Sequence, residues 1–447
     1  MPDSHSPQPL TSKASGPIKG TVTVPGDKSI SHRSLMLSSQ GSGKSTIHGL
    51  LEGEDVLNTA KALASMGIES GKNPDGSWWV NGRGVGALSA PASTLDLGNS
   101  GTSTRLLMGL VGSYDFNTRM TGDASLKKRP MARVMEPLKR MGVNFETSEG
   151  SRLPLTVLGT SDTVPITAEM KVASAQVKSA VLLCALNTQG ITTVIEREAT
   201  RDHTERMLKF MGADIETSKG TGGETIIRLN GQPELKACIF NVPGDSSSAA
   251  FPTAAALLAP GSDILLKNTC LNPLRTGFYQ TLQEMGAVLS YEKERMEAGE
   301  KTADIRVKFS ALKGVRVPSS RAPSMIDEYP ILAVLASCAD GTTVMEGLGE
   351  LRVKESDRLA MIAAGLKACG AKVEIEGDNL IVHGNGNPPA GGAIITTSMD
   401  HRIAMSFLVL GGVTKEPVKI DDGSMIATSF PGFTDLMNGL GAKIEWD

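Results

Sequence analysis

The chain has 447 residues, 49 of them glycine (about 11%), with 40% apolar and 4% aromatic residues, and its 45 Lys and Arg against 48 Asp and Glu leave a formal charge of −3. That much apolar surface excludes disorder throughout, and the near balance of charge excludes a global basic field for nucleic acid. The length predicts two or three domains, and five scattered cysteines (184, 238, 270, 338 and 369) without a CxxC argue against a disulfide framework or a zinc cluster and fit a reducing compartment.

In chain order, the first sixteen residues are polar and lack an apolar signal region, so 1–13 reads as a loose leader. Val24-Pro25-Gly26-Asp27-Lys28-Ser29 then opens a predicted helix over Ser29–Ser39, followed by a turn at Gly41–Lys44 and a strand at Ser45–His48. Ser38–Ser45 imitates a phosphate-binding P-loop, but Ser38 stands where the first glycine belongs, and its glycines follow a helix instead of preceding one. Further apolar helices are predicted at Ser103–Val111, Gln176–Leu186, Ser246–Leu258, Glu328–Ala339 and His401–Leu410. They have little polar face and should be buried. No apolar run reaches the ~18 residues of a membrane helix; the nearest, Ala249–Ala259, contains Pro252. A soluble, cytoplasmic protein is expected.

A second signature recurs six times, as Met66-Gly67-Ile68, Met141-Gly142-Val143, Met211-Gly212-Ala213, Met285-Gly286-Ala287, Cys369-Gly370-Ala371 and Leu440-Gly441-Ala442. The glycines are 75, 70, 74, 84 and 71 residues apart. Each ends an amphipathic stretch and precedes strand-like sequence, as expected of a left-handed C-cap. The chain is therefore read as six repeats of strand, buried helix, strand, exposed helix and strands. The long interval carries a Glu- and Lys-rich insertion, Tyr291–Lys301, read as a solvated hairpin or loop. Val242-Pro243-Gly244-Asp245 echoes Val24-Pro25-Gly26-Asp27 at an offset of 218 residues, about three repeats. Two α/β lobes of three βαββ-type repeats follow: residues 24–241, and 14–23 with 242–447.

Six buried helices can aim their N-termini, with free N–H groups, at an anion. Basic residues recur at or near the helix starts: Lys28 and Arg33, Arg129, Arg201, Lys354 and Arg358, and Arg402. A cleft lined this way suits a multiply anionic small molecule, which guanidinium groups grip in pairs. Asp327 and Glu355 stand among these cations, where each is either a first-turn acid or a group that moves protons.

Seven motifs occur together in order: Gly26-Asp27-Lys28-Ser29, Leu97-Gly98-Asn99-Ser100-Gly101-Thr102, Ser174-Ala175-Gln176-Val177-Lys178, Arg201-Asp202-His203-Thr204-Glu205, Asp327-Glu328-Tyr329-Pro330, Arg352–Arg358 and Asp400–Met405. In these the chain resembles the 5-enolpyruvylshikimate-3-phosphate (EPSP) synthase family, in its class II branch, over essentially all its length after residue 16. The resemblance implies an inside-out α/β barrel whose two lobes close on substrate. The reaction implied joins phosphoenolpyruvate to the 5-hydroxyl of shikimate 3-phosphate and releases phosphate, in the shikimate pathway to chorismate and the aromatic amino acids. It implies no metal or organic cofactor, no nucleic-acid or membrane partner, and a monomer.

By the same resemblance, Lys28, Ser29, Arg33, Ser174, Ala175, Gln176, Arg201, Asp327 and Lys354 hold shikimate 3-phosphate. Lys28, Gly101, Arg129, Gln176, Arg358 and Arg402 hold phosphoenolpyruvate. Asp327 is the implied base for the 5-hydroxyl, Glu355 the acid for C3, and Lys28 the stabiliser of charge. Two departures stand out. A class II Asn-x-Thr-Arg pattern reads Asn272-Pro273-Leu274-Arg275, and Ser424 falls where class I members carry a C-terminal lysine. Gly101 leaves room for the inhibitor glyphosate. The alternatives are a UDP-N-acetylglucosamine enolpyruvyl transferase, disfavoured because Thr121–Arg133 has no cysteine, and a non-catalytic repeat scaffold.

Overall fold

Helix formation here is governed by two local devices, a polar cap at the start and a glycine at the end. The computed structural model describes residues 6–447. Its helices are, in order, α1 (Lys28–Gln40), α2 (Glu54–Ser65), α3 (Gly101–Gly112), α4 (Ala132–Arg140), α5 (Ala175–Leu186), α6 (His203–Phe210), α7 (Ser246–Leu258), α8 (Gly277–Glu284), α9 (Ala322–Met325), α10 (Tyr329–Cys338), α11 (Arg358–Ala368), α12 (His401–Gly411) and α13 (Phe433–Gly439). Asp27, Ser100, Ser174, Asp245, Asp357 and Asp400 cap their helices by accepting a first-turn N–H. Gly67, Gly142, Gly212, Gly286, Gly370 and Gly441 all have φ between +86° and +111°, where a side chain would clash with its own backbone. The recurring glycine is thus one device that ends six helices.

The chain divides into two compact units. The first is Gly26–Val242 with Met296–Glu300; the second is the described residues up to Pro25, Pro243–Arg295 and Lys301–Asp447. In the first unit, α1, α3 and α5 are buried along most of their length. The α3 and α5 backbones touch: a Cβ on Gly109 would lie 2.1 Å from the Ala180 carbonyl oxygen. Three four-stranded sheets cover these helices, in the orders Ile239–Asn241, Ser42–His48, Trp78–Arg83, Glu69–Lys72; then Leu95–Asp96, Asn117–Thr121, Arg152–Leu158, Asn144–Ser148; then Thr167–Glu169, Ile191–Glu196, Thr225–Asn230, Ile215–Lys219. In each sheet the first pair is parallel and the others antiparallel. Gly43, Lys44 and Ser45 of the P-loop imitation lie within a strand, so they form no phosphate loop.

The second unit repeats the plan around α7, α10 and α12. Every residue of Tyr329–Ser337 and of Ser246–Leu257 is buried, as expected of helices that are apolar all round. Its sheets run Leu289–Glu297, Glu300–Lys308, Asp263–Cys270, Lys19–Val22; then Arg316–Val317, Asp340–Met345, Asn379–Asn385, Lys372–Glu376; then Ile394–Ile395, Val418–Ile420, Leu10–Ser12, Ile444–Trp446. With helices inside and sheets outside, the architecture is an inside-out α/β barrel. Among the described residues no helix is long and apolar enough to cross a membrane.

Two expectations are corrected. The leader expected over 1–13 contains a strand, Leu10–Ser12, while residues 1–5 lie outside the described residues. Leu10 pairs with Ile420 and Trp446, and its side chain is fully buried. A three-residue strand whose partners lie more than 400 residues away leaves no local pattern. The insertion at Tyr291–Lys301 does form a hairpin, but its tip is not simply solvated: Glu300 has 0% exposure.

Candidate active site

In the first unit, the starts of α1, α3 and α5 carry the expected residues. Lys28 and Ser29 open α1, both half-buried. Lys28 Nζ pairs with Asp55, in the first turn of α2, which the sequence reading missed. Behind them, His32 Nδ1 meets Thr59 Oγ1 at 2.8 Å, and Thr59 meets Ser103 at 2.7 Å. Burial, aided by the charges of Lys28 and Arg33, pushes this imidazole well below its usual range, so it is neutral.

Arg33 lies deeper than a direct contact requires, at 3% exposure. Its Nε donates to Thr204 Oγ1 at 2.8 Å, Nη1 to the Ser29 carbonyl at 3.0 Å, and Nη2 to Ser179 Oγ at 2.7 Å. Burial pulls this guanidinium down to about 10, and Arg201 adds to the fall, while Glu205, Asp27 and Glu300 oppose it.

Gly101 begins α3 and sits against two guanidinium groups. A Cβ there would lie 3.0 Å from Arg105 Nη1 and 3.2 Å from Arg129 Nη1. Arg129 is held by Asn99, whose Oδ1 takes Nη2 at 2.6 Å, and by Ser125 Oγ at 3.2 Å. Gln176, in the first turn of α5, accepts from Arg105 Nη1 at 2.7 Å and donates to Thr102 Oγ1 at 3.0 Å. Arg105 therefore ties the starts of α3 and α5 together, and no sequence reading singled it out. Its spacing of four from Gly101 puts it one turn along the same face. Ser174 caps α5, and Ala175 follows, both half-buried.

Arg201 precedes α6 and is half-buried. Its segment is anchored from below by Lys178, 1% exposed, which reaches Glu196 at 2.9 Å, Glu205 at 2.8 Å and the Thr200 carbonyl at 3.2 Å. Burial works against the Lys178 charge, but Glu205 and Glu196 outweigh it and hold its pKa above the ordinary value.

The second unit supplies a separate cluster. Arg358 opens α11 at 0% exposure and meets three carboxylates. Its Nε lies 2.8 Å from Asp400 Oδ2, its Nη1 3.2 Å from Asp327 Oδ1, and its Nη2 2.5 Å from Glu355 Oε2. Burial works against the charge of this guanidinium; Asp400, Glu355 and Asp327 more than compensate and raise its pKa. Asp400 also caps α12 through the Arg402 N–H at 3.0 Å and accepts from Ser356 Oγ at 2.9 Å. Arg402 Nε stands 3.8 Å from Asp327 Oδ1, so two guanidinium groups flank that carboxylate. Lys354 is half-buried and ends a short 3-10 segment just before Glu355.

The two departures also have places. Leu274 N donates to Asn272 Oδ1 at 2.9 Å, and Arg275 is 2% exposed, with Nη2 on Ser247 Oγ at 2.7 Å and 3.4 Å from Asp245 Oδ1. That motif braces the start of α7. Ser424 N donates to Asp422 Oδ1 at 2.9 Å. Among the described residues no group of three or more His, Cys, Asp or Glu is arranged to hold a metal ion.

Residues 12–437 match the family described as EPSP synthase (3-phosphoshikimate 1-carboxyvinyltransferase). A 3-phosphoshikimate 1-carboxyvinyltransferase of Paramagnetospirillum magneticum is 59% identical over 440 residues, 98% of this chain and 99% of that one. A protein of the same name from Cereibacter sphaeroides is 56% identical over 441 residues, again 98% and 99%. Among solved structures, the EPSP synthase of Acinetobacter baumannii is similar with a TM-score of 0.87 and 43% identity, covering 98% of this chain and 100% of that one.

Proposed function

Because the chain belongs to the EPSP synthase family, and so transfers the enolpyruvyl group of phosphoenolpyruvate to shikimate 3-phosphate, we propose that the residues gathered at its helix starts carry out that transfer. The observation that carries this reading is the cluster of Asp327, just before α10, with Glu355, Arg358 and Arg402 at the starts of α11 and α12, with the distances given above. It combines a carboxylate flanked by cations, a half-exposed second carboxylate and two guanidinium groups.

Both substrates carry a carboxylate and a phosphate, so several negative charges must be neutralised before the reacting atoms can approach. Lys28, Ser29, Ser174, Ala175, Gln176, Arg201, Asp327 and Lys354 are assigned to shikimate 3-phosphate, with Arg33 acting from below through Ser29. Lys28, Gly101, Arg129, Gln176, Arg358 and Arg402 are assigned to phosphoenolpyruvate. Arg105 is added as the group that aims Gln176.

The reaction is an addition followed by an elimination. Asp327 accepts the proton of the 5-hydroxyl as that oxygen bonds to C2 of phosphoenolpyruvate, and Glu355 gives a proton to C3. In the tetrahedral intermediate, C2 carries both the new ether and the phosphate. Glu355 then takes a proton back from C3 as the C2–O bond to phosphate breaks. Lys28 and the guanidinium groups stabilise the charge on the departing phosphate. The guanidinium groups of Arg358 and Arg402 flank Asp327, at 3.2 and 3.8 Å from its Oδ1. Glu355 Oε2 lies 2.5 Å from Arg358 Nη2, and the same guanidinium also meets Asp327 and Asp400.

The assignment of Arg129 is tested by steady-state kinetics. Arg129→Ala should raise KM for phosphoenolpyruvate by ~30-fold, as expected on losing a charged hydrogen-bond donor, and leave KM for shikimate 3-phosphate within about 2-fold. Equal rises in both constants would remove Arg129 from the phosphoenolpyruvate site.

A further inference from the structure

The inserted hairpin breaks the repeat pattern, and its tip does something a solvated loop does not. Met296–Glu300 belongs to the same compact unit as α6. Glu300 and His203 each have 0% exposure, and Glu300 Oε1 lies 2.7 Å from His203 Nδ1. His203 is the first residue of α6. One turn on, Arg206 Nη1 donates to the Gly299 carbonyl at 3.0 Å, and Arg206 Nε lies 2.8 Å from Asp202 Oδ2 and 3.9 Å from Glu300 Oε2. The tip therefore grips the first turn of α6 at both ends. Gly299 is shaped for this: its φ is +85°, and a Cβ there would lie 3.2 Å from the Arg206 carbonyl oxygen.

A carboxylate is costly to bury unless it is paired, and a surface hairpin needs none. What the gripped turn carries is therefore informative. Arg201 stands two residues before His203. Thr204, one residue after it, takes Arg33 Nε at 2.8 Å and meets Ser179 Oγ at 2.8 Å. The Glu300 charge also opposes the fall in the Arg33 pKa.

We propose that Glu300 is a positioning residue for substrate binding: its pairing with His203 fixes the first turn of α6 and thereby sets Arg201 and the Thr204 seat of Arg33. This rests on the assignment of Arg201 and Arg33 to shikimate 3-phosphate. Without Glu300, the Arg201 segment keeps its anchors on Lys178 through Thr200 and Glu205 but loses the one on His203.

The test is steady-state kinetics and thermal melting of the full-length enzyme and its Glu300→Ala, Glu300→Gln and Arg201→Ala variants. Glu300→Ala should raise KM for shikimate 3-phosphate by ~10-fold, with kcat and KM for phosphoenolpyruvate within about 3-fold. Glu300→Gln keeps the shape and a hydrogen bond but not the charge, so a rise of ~3-fold in the same constant is expected, and it carries the test if Glu300→Ala fails to fold. Arg201→Ala should raise that constant further, and adding Glu300→Ala to it should add little. An unchanged constant in both Glu300 variants, beside a raised one in Arg201→Ala, overturns the proposal. So does a parallel rise in both KM values, the mark of a merely structural role. A normal constant in Arg201→Ala overturns the substrate assignment itself, and the proposal with it.

Discussion

Asp327→Asn should lower kcat by ~10³-fold, because it removes the group proposed to accept the 5-hydroxyl proton and leaves a nearly identical shape. An amide cannot take the proton as the C2–O bond forms. The protein should remain folded, since Arg358 keeps Asp400 at 2.8 Å and Glu355 at 2.5 Å. KM for shikimate 3-phosphate should rise only a few fold, as expected when one hydrogen bond to substrate is weakened. Single-turnover measurement separates the effects: a slowed chemical step with near-normal binding is the expected result, and wild-type turnover would remove Asp327 from proton transfer.

Arg358→Met should have the largest combined effect on stability and activity. The variant leaves Asp400, at 0% exposure, beside Asp327 and Glu355 with the central cation gone. Breaking a buried ion pair from one side costs about 3–5 kcal/mol, since the remaining charge has no compensation. The raised pKa of Arg358 means that its contribution is fully present below the ordinary arginine value, so alkaline pH in the working range does not remove it. A melting scan should show a marked drop at neutral pH. Arg358→Lys keeps the charge but not the fork that reaches three carboxylates. It should melt closer to wild type, yet still raise KM for phosphoenolpyruvate by ~10-fold or more. A melting temperature within a degree of wild type for Arg358→Met would contradict the clamp described here.

The sequence made the repeat plan legible because its marks are local. A glycine at φ near +90° is required wherever an exposed helix must stop and turn, so six such glycines are visible without any tertiary information. The apolar runs are equally local, and they placed the starts of α1, α5 and α12 within a few residues. Partners brought in from other elements were not legible. Asp55 holds Lys28 from 27 residues away, Arg105 holds Gln176 from 71, and Asp400 holds Arg358 from 42. Asp400 stood inside a quoted motif yet received no role: its cap on the Arg402 N–H is local, but its task as counter-ion to Arg358 appears only when α11 and α12 pack. Leu10–Ser12 and Glu300 were misread for a related reason. A short polar stretch is an ordinary leader or loop until a distant strand or a buried histidine meets it.

The most direct test of the central claim is phosphate release from phosphoenolpyruvate by the purified protein, followed with each acceptor in turn. Release that requires shikimate 3-phosphate, fails with UDP-N-acetylglucosamine, and falls by ~10³-fold in Asp327→Asn is the result expected of a site built as described. No release with shikimate 3-phosphate, or equal release with UDP-N-acetylglucosamine, would contradict it.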